Sequence, residues 1–319
     1  MPVADEVVAI TGATGFVGRA LLPQLVAAGW RARALTRQRG AGDDAAGRIA
    51  WQHIPDIGAD VPLDGCAALV HLAARVHVMQ ERAADPLAEF RRANVAATER
   101  LARRAAAAGV RRLIFLSSVK VNGEETAPGR PFHADDAPAP EDAYGVSKHE
   151  AECALRRVAE ETGLEVAIIR PPLVYGPGVG GNFLTMLNWL RRGLPLPLAS
   201  VDNRRSLVAV DNLCDLILTC LAHPRAANET FLVSDGRDLS TPELLRLAGA
   251  AMGSPARLLP CPPAVLRGAA TMLGRPGVAR RLCGSLQVDI GKTRDVLGWH
   301  PPVGVEDGLR RIFAAGENA

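Results

Sequence analysis

Apolar and polar positions follow two rhythms along the first half of the chain. Residues 7–11 form a short apolar run of strand character, broken at once by Gly12, Gly15 and Gly18. An apolar pattern of helical period then starts at Phe16 and continues through Val17, Leu21, Leu22 and Leu25. Pro23 lies beyond the first turn of that helix and predicts a kink, and Gly29 ends it. Residues 31–37 read as a second strand and 51–57 as a third, with Asp56 at its end. Residues 67–74 are a continuous apolar run of the kind buried on both faces of a parallel sheet. Residues 86–109 set Leu87, Phe90, Val95 and Leu101 among charges, with Gly109 as a stop: a long amphipathic helix. Its alanine-rich half suits close packing against a second helix or a partner subunit. Residues 110–118 are a strand ending in Ser117 and Ser118.

Residues 122–142 are rich in Pro, Gly, Asp and Glu and predict a loop, followed by a helix from Tyr144 to about Thr162. The alternation predicts an α/β fold with a doubly wound parallel sheet, whose ligand site lies outside the carboxyl ends of the strands. Residues 1–170 are expected to form this dinucleotide-binding domain, with some later segments returning to it, and 171–319 mainly a smaller α/β substrate domain. Residues 262–281, basic and apolar together, read as a lid on that second domain, with contact to a membrane surface as the other possibility.

Composition narrows the class. The chain has 319 residues, 48% hydrophobic and 22% charged, enough for a sizeable core. Its net charge of +3 comes from intermixed signs and aromatics make up only 4%, which argues against a nucleic-acid partner. The N-terminal residues are acidic and no apolar run reaches the roughly 18 residues of a bilayer span, so a soluble, cytoplasmic protein is expected. Six cysteines without a CxxC pair, and no His pair at zinc spacing, predict free thiols and no metal.

The three glycines have a chemical reading. Gly12 permits the turn, Gly15 lets backbone approach a pyrophosphate, and Gly18 allows close packing of helix on sheet, while the helix N-terminus offers unpaired N–H groups. At the end of the second strand an acid would bind the ribose diol of NAD. Arg37 stands there instead, with Arg39 close by, and favours the extra phosphate of NADP. Asp56 can accept from an adenine amino group, and the small residues after His71 let a loop lie against the cofactor; His71 itself reads as a core histidine. Tyr144 and Lys148, four apart, share a helix face. An ammonium beside a phenol lowers the phenol's pKa and makes it a proton relay. Ser118, at a strand end, can hydrogen-bond the same oxygen, and the three suffice for hydride chemistry at a carbinol or carbonyl carbon.

Thr11-Gly12-Ala13-Thr14-Gly15-Phe16-Val17-Gly18, Asp56-Ile57, His71-Leu72-Ala73-Ala74, Asn94, Ser117-Ser118 and Tyr144 with Lys148 together resemble the extended short-chain dehydrogenase/reductase family, in its nucleotide-sugar epimerase, dehydratase and reductase branch. The resemblance covers nearly the whole length. It implies catalysis by Ser118, Tyr144 and Lys148. It implies cofactor contacts at Gly12, Thr14, Gly15, Phe16, Val17 and Arg37, at Asp56, Ile57, Leu72, Ala73, Ala74 and Asn94, and at Ser117, Tyr144, Lys148 and Pro171. On the substrate side it implies Ser118, Asn182, Leu198, Arg205 and Ser285, with Asn182 and Arg205 on the diphosphate of a UDP-sugar and Ser285 and Leu286 near the sugar. Residues 289–299 match the family's closing motif, in which Trp299 is structural. Homodimers through the helices near 87–108 and 147–162 are implied as well.

Within the branch, 4,6-dehydratases carry carboxylates immediately after the catalytic hydroxyl, where this chain has Val119-Lys120. Two activities remain. Arg37 points to NADP-dependent reduction of a UDP-4-keto-6-deoxy-HexNAc for surface polysaccharide synthesis. The alternative is a UDP-glucose or UDP-GlcNAc 4-epimerase with retained NAD. A regulator that senses NAD(P) without turnover is a third class, disfavoured by the complete Tyr and Lys pair.

Overall fold

The computed structural model describes residues 6–38, 47–57, 61–75, 85–127, 129–274 and 276–314; Arg39 lies outside them. Nine strands are present among these residues: β1 (Val7–Thr11), β2 (Arg31–Thr36), β3 (Ile49–His53), β4 (Cys66–His71), β5 (Arg112–Leu116), β6 (Glu165–Arg170), β7 (Leu173–Tyr175), β8 (Leu207–Ala209) and β9 (Thr230–Leu232). Seven of them make one parallel sheet in the order β3-β2-β1-β4-β5-β6-β9, while β7 and β8 pair with each other.

Period-two alternation sends side chains to two cores. Val8, Ile10 and Ile114 enter one, and Ala9, Leu113 and Phe115 the other. The helices that cover them begin with α1 (Phe16–Ala27), α2 (Pro86–Phe90), α3 (Ala97–Ala107), α4 (Ala143–Thr162), α5 (Gly181–Arg191) and α6 (Val210–Ala222). Leu21, Leu22 and Leu25 of α1 join Leu213, Leu216 and Ile217 of α6 on the first face. Leu101 and Ala105 of α3 join Ala151, Leu155 and Val158 of α4 on the second. Each fully buried Leu or Val contributes about 1.5–3 kcal/mol, so either face alone is a sizeable core. A third core gathers Phe183, Leu187 and Leu190 of α5 with Leu244 and Leu245 of α7 (Thr241–Ala251).

Four later elements complete the chain: α8 (Pro263–Met272), α9 (Pro276–Cys283), α10 (Gly291–Leu297) and α11 (Val305–Ala314). The two halves interlock. β9 returns to the edge of the main sheet beside β6, and α6 packs on α1, so segments from the later half of the chain complete the main sheet and one of its faces.

Several expected boundaries shift, each for a physical reason. Apolar runs outlast the ladders, because pairing stops where the neighbour stops: the β2–β3 register ends at Thr36 and His53, and β4–β5 at His71 and Phe115. Arg37 therefore stands exposed past β2, Asp56 and Ile57 follow β3 rather than end it, and Leu72, Ala73 and Ala74 form the loop after β4. The long helix expected over 86–109 is interrupted by a π-helical turn, Arg91–Ala96, between α2 and α3. α1 runs through Pro23 as a continuous helix to Ala27. The expected lid divides: α9 is tied down by Arg280, whose guanidinium meets Glu124 at 2.7 Å and Glu141 at 2.8 Å, but α8 buries none of its residues.

Candidate active site

The first loop is shaped by its glycines. Gly12 has φ +72°, and a Cβ there would lie 2.8 Å from the backbone N of Ala73; one on Gly18 would lie 2.3 Å from the Gly12 carbonyl oxygen. Gly15, the N-cap of α1, offers no side-chain acceptor to the helix's first N–H groups. Backbone donors at a positive helix end, beside a loop of Leu72, Ala73 and Ala74 that carries little bulk, fit a dinucleotide pyrophosphate, with Thr14, Phe16 and Val17 at the same turn. Ala73 N donates to Thr11 Oγ1 at 3.3 Å, which draws the two loops together.

His71 is a core residue. Its Nδ1 is hydrogen-bonded to Thr11 Oγ1 at 2.6 Å and its Nε2 to Thr98 Oγ1 at 2.9 Å, and it is 2% exposed. Burial, aided by the charge of Lys148, pushes its pKa down to about 3, so the ring is neutral at physiological pH.

The three candidate catalytic residues come from the end of β5 and from α4. Ser118 follows β5 and caps a single 3-10 turn, Val119–Val121, by accepting from Lys120 N at 3.3 Å. The start of α4 lies against that turn: a Cβ on Gly145 would sit 2.9 Å from the Lys120 carbonyl oxygen. Asp142 caps α4 through Gly145 N at 2.6 Å and also pairs with Lys120 Nζ. Phe90 stands edge-on to Tyr144, with centroids 6.0 Å apart.

Lys148 does not tune the phenol as expected. Its Nζ donates to the Leu116 carbonyl at 2.7 Å and lies 6.0 Å from the Tyr144 ring centroid, closer to Phe115 at 4.4 Å. Burial lowers the pKa of Lys148 to about 7. Burial, reinforced by Asp142, raises that of Tyr144 instead of lowering it.

Two cofactor candidates turn their side chains into structure. Asn94, on the π turn, accepts from Arg75 N at 2.8 Å and donates to Arg75 O at 3.0 Å and Ser147 Oγ at 3.1 Å, bracing the loop after β4. Ser117 donates to Glu152 at 2.6 Å. Pro171 is buried and accepts from Val119 N through its carbonyl at 3.0 Å, which fixes the chain just past Ser118.

Among the candidate substrate residues, 204–206 run beside 284–286, with Arg205 bridged to Leu286. Arg205 Nη1 donates to the Gly284 carbonyl at 3.0 Å, and burial holds its guanidinium below the usual value. Ser285 Oγ accepts from Arg204 N at 3.1 Å. Asn182 is exposed in the first turn of α5, whereas Leu198 is 5% exposed and belongs to the third core, so its side chain packs inward.

The sequence reading missed the network beneath the site. Glu152 on α4 is fully buried and takes two hydrogen bonds from Arg170 at 2.9 and 2.6 Å, while Arg170 also donates to Asn122 at 3.0 Å. An arginine closing the apolar strand Glu165–Arg170, and a glutamate one turn beyond Lys148, were its available signals. All six cysteines are free, and among the described residues no cluster of His, Cys, Asp or Glu suits a metal ion.

The chain is similar to known proteins over most of its length. The family model described as the NAD dependent epimerase/dehydratase family matches residues 8–234. A UDP-glucose 4-epimerase of Vibrio cholerae is 43% identical, over 96% of this chain and 94% of the relative. A GDP-6-deoxy-D-mannose reductase of Pseudomonas aeruginosa is 26% identical, over 97% of this chain and 96% of that one. Among solved structures, a UDP-glucose 4-epimerase of Thermotoga maritima with UDP-glucose superposes with a TM-score of 0.77 at 21% identity, covering 98% of this chain and 99% of that one.

Proposed function

This chain belongs to the NAD dependent epimerase/dehydratase family, and on that premise we propose that it is a UDP-sugar 4-epimerase that keeps its NAD through turnover. It is an enzyme of the nucleotide-sugar epimerase and reductase type. The observation that carries the finer reading is the 43% identity, along nearly all of both chains, to a relative named for 4-epimerisation of UDP-glucose. Likeness to the reductase is weaker, at 26%, and the family description gives NAD, so the preference for NADP drawn from Arg37 finds no support there. Reduction of a 4-keto sugar becomes the second reading, resting on Arg37 alone.

A bound nicotinamide would supply a hydride acceptor for C4 of the sugar that can return the same hydride. The chain's part is to hold and protonate. Backbone at Gly12 and Gly15 receives the pyrophosphate. Tyr144 exchanges the proton of the C4 oxygen, Ser118 Oγ holds that oxygen, and the Lys148 ammonium offsets negative charge near the phenol. A phenol whose pKa is raised keeps its proton at rest, so the Lys148 charge matters most when Tyr144 must act as base. Arg205 and Asn182 grip the diphosphate, with Ser285 bordering the sugar. The reading includes a cytoplasmic homodimer paired through the outer faces of α3 and α4.

The test is incubation of the purified chain with UDP-glucose and with UDP-GlcNAc, without added cofactor, followed by separation of the C4 epimers. Conversion is expected, and Tyr144→Phe should slow it about 10²–10⁴-fold. Loss of NADPH absorbance with UDP-4-keto-6-deoxy-HexNAc, and no epimer formed, would establish the second reading instead.

A further inference from the structure

We propose that α8 and the segment leading into it dock on the surface of an anionic phospholipid bilayer. The inference is independent of the reaction above. Val265 is 58% exposed, Met272 91% and Leu273 76%. With exposed Ala269 they fall at positions i, i+4, i+7 and i+8, a single stripe on one side of the helix. Leu259, just before α8, is 52% exposed. Leu266 is the α8 residue packed against the third core, so the helix is fastened to the protein while its stripe stands free.

Charge selects the occupant. From Leu244 to Val288 the sequence holds six arginines and no Asp, Glu or Lys, which leaves the remaining 274 residues with a net charge of −3. Arg257 and Arg267 are exposed, and outside the helix ladder their hydrogen bonds with described residues are accepted by their backbone carbonyls, from Leu196 N and Thr271 Oγ1. A second copy of the chain would set arginines against arginines. An anionic bilayer takes both features at once: apolar side chains enter the acyl boundary while guanidinium groups meet lipid phosphates. No helix among the described residues is long and apolar enough to cross a membrane, so the contact is peripheral. It is weak and reversible, as a short apolar stripe and a few cations dictate.

Co-sedimentation of the full chain with vesicles tests this. Vesicles of phosphatidylcholine with about a third phosphatidylglycerol should carry the protein down and pure phosphatidylcholine should not, and salt should release it. Replacing Val265, Met272 and Leu273 together by Ser should weaken partitioning at least about tenfold. Arg257→Gln should weaken it about fivefold, and Arg267→Gln less, since Arg267 stands about 200° round the helix from Val265. These side chains are exposed, so every variant should melt with the wild type. Equal sedimentation of the wild type and the triple-Ser variant would overturn the proposal, as would no sedimentation at all. Retention on immobilised polyglutamate without vesicle binding would assign the face to an acidic protein, and a concentration-dependent dimer abolished by the Ser variant would assign it to a second copy.

Discussion

His71 and Lys148 face each other electrostatically inside the fold, and both are held away from their charged forms. Their consequences for stability fall in different pH windows. An unfolded histidine titrates near 6.5 and His71 near 3, so the unfolded chain binds the extra proton between those values and stability falls as pH drops through the interval. Urea unfolding at pH 4 should show about 3 kcal/mol lost relative to pH 7 on this account, and His71→Asn should remove that part of the slope. Lys148 has the same sign in a higher window. Its folded pKa is about 7 against about 10.5 unfolded, so charging the buried amine is a full burden below pH 7 and is relieved as pH rises. Between pH 7 and 9 the wild type should gain about 2–3 kcal/mol relative to Lys148→Met, measured by the same unfolding curves. The identity and spacing of Tyr144 and Lys148 were legible in the sequence. What each side chain experiences was not, because the hydrogen bond from Lys148 to Leu116 exists only once α4 has docked on β5.

That docking is the work of α4 as an element. Asp142 caps it, Gly145 lets its first turn approach Lys120, and the Glu152 carboxylate ties its middle to Arg170 at the end of β6 and to Ser117 at the end of β5. Such a pair is a doubtful source of net stability, but breaking it leaves a charge stranded in the core. Arg170→Met should therefore lower unfolding free energy by about 3–5 kcal/mol, and Arg170→Met with Glu152→Leu should lose less than the sum of the single changes. Chemical denaturation of the four proteins of that cycle checks it. Element types were legible because parallel strands are apolar runs and helices carry the 3.6 period. Element ends were not, since Thr36, His71 and Leu116 stop where a neighbour's ladder stops. Nor was the π turn: it is fixed by Asn94 reaching the backbone of Arg75, a contact between segments 19 residues apart.

The assembled architecture joins stretches that are far apart in the chain. The order of the seven-stranded sheet follows from alternating strands and helices, yet its last member, β9, arrives 60 residues after the strand it pairs with at Ile168–Arg170. The pairing around Arg205 was foreshadowed by its motifs alone: Arg205 and Leu286 meet because two irregular segments bridge, and no periodicity announces such a bridge. The unequal distribution of charge was present in the sequence from the start, but only the exposure of α8 turns it into a directed surface.

The late arrival of β9 sets a schedule for biosynthesis. When residue 170 leaves the ribosome, β6 has β5 on one side and an open row of N–H and C=O groups on the other, next to the apolar sequence Val166–Ile169. That flank is sealed when Thr230–Leu232 emerges, so the nascent chain carries a sticky edge while it threads the whole of α5 and α6. A gene split at the apparent boundary between its halves would make the temporary hazard permanent.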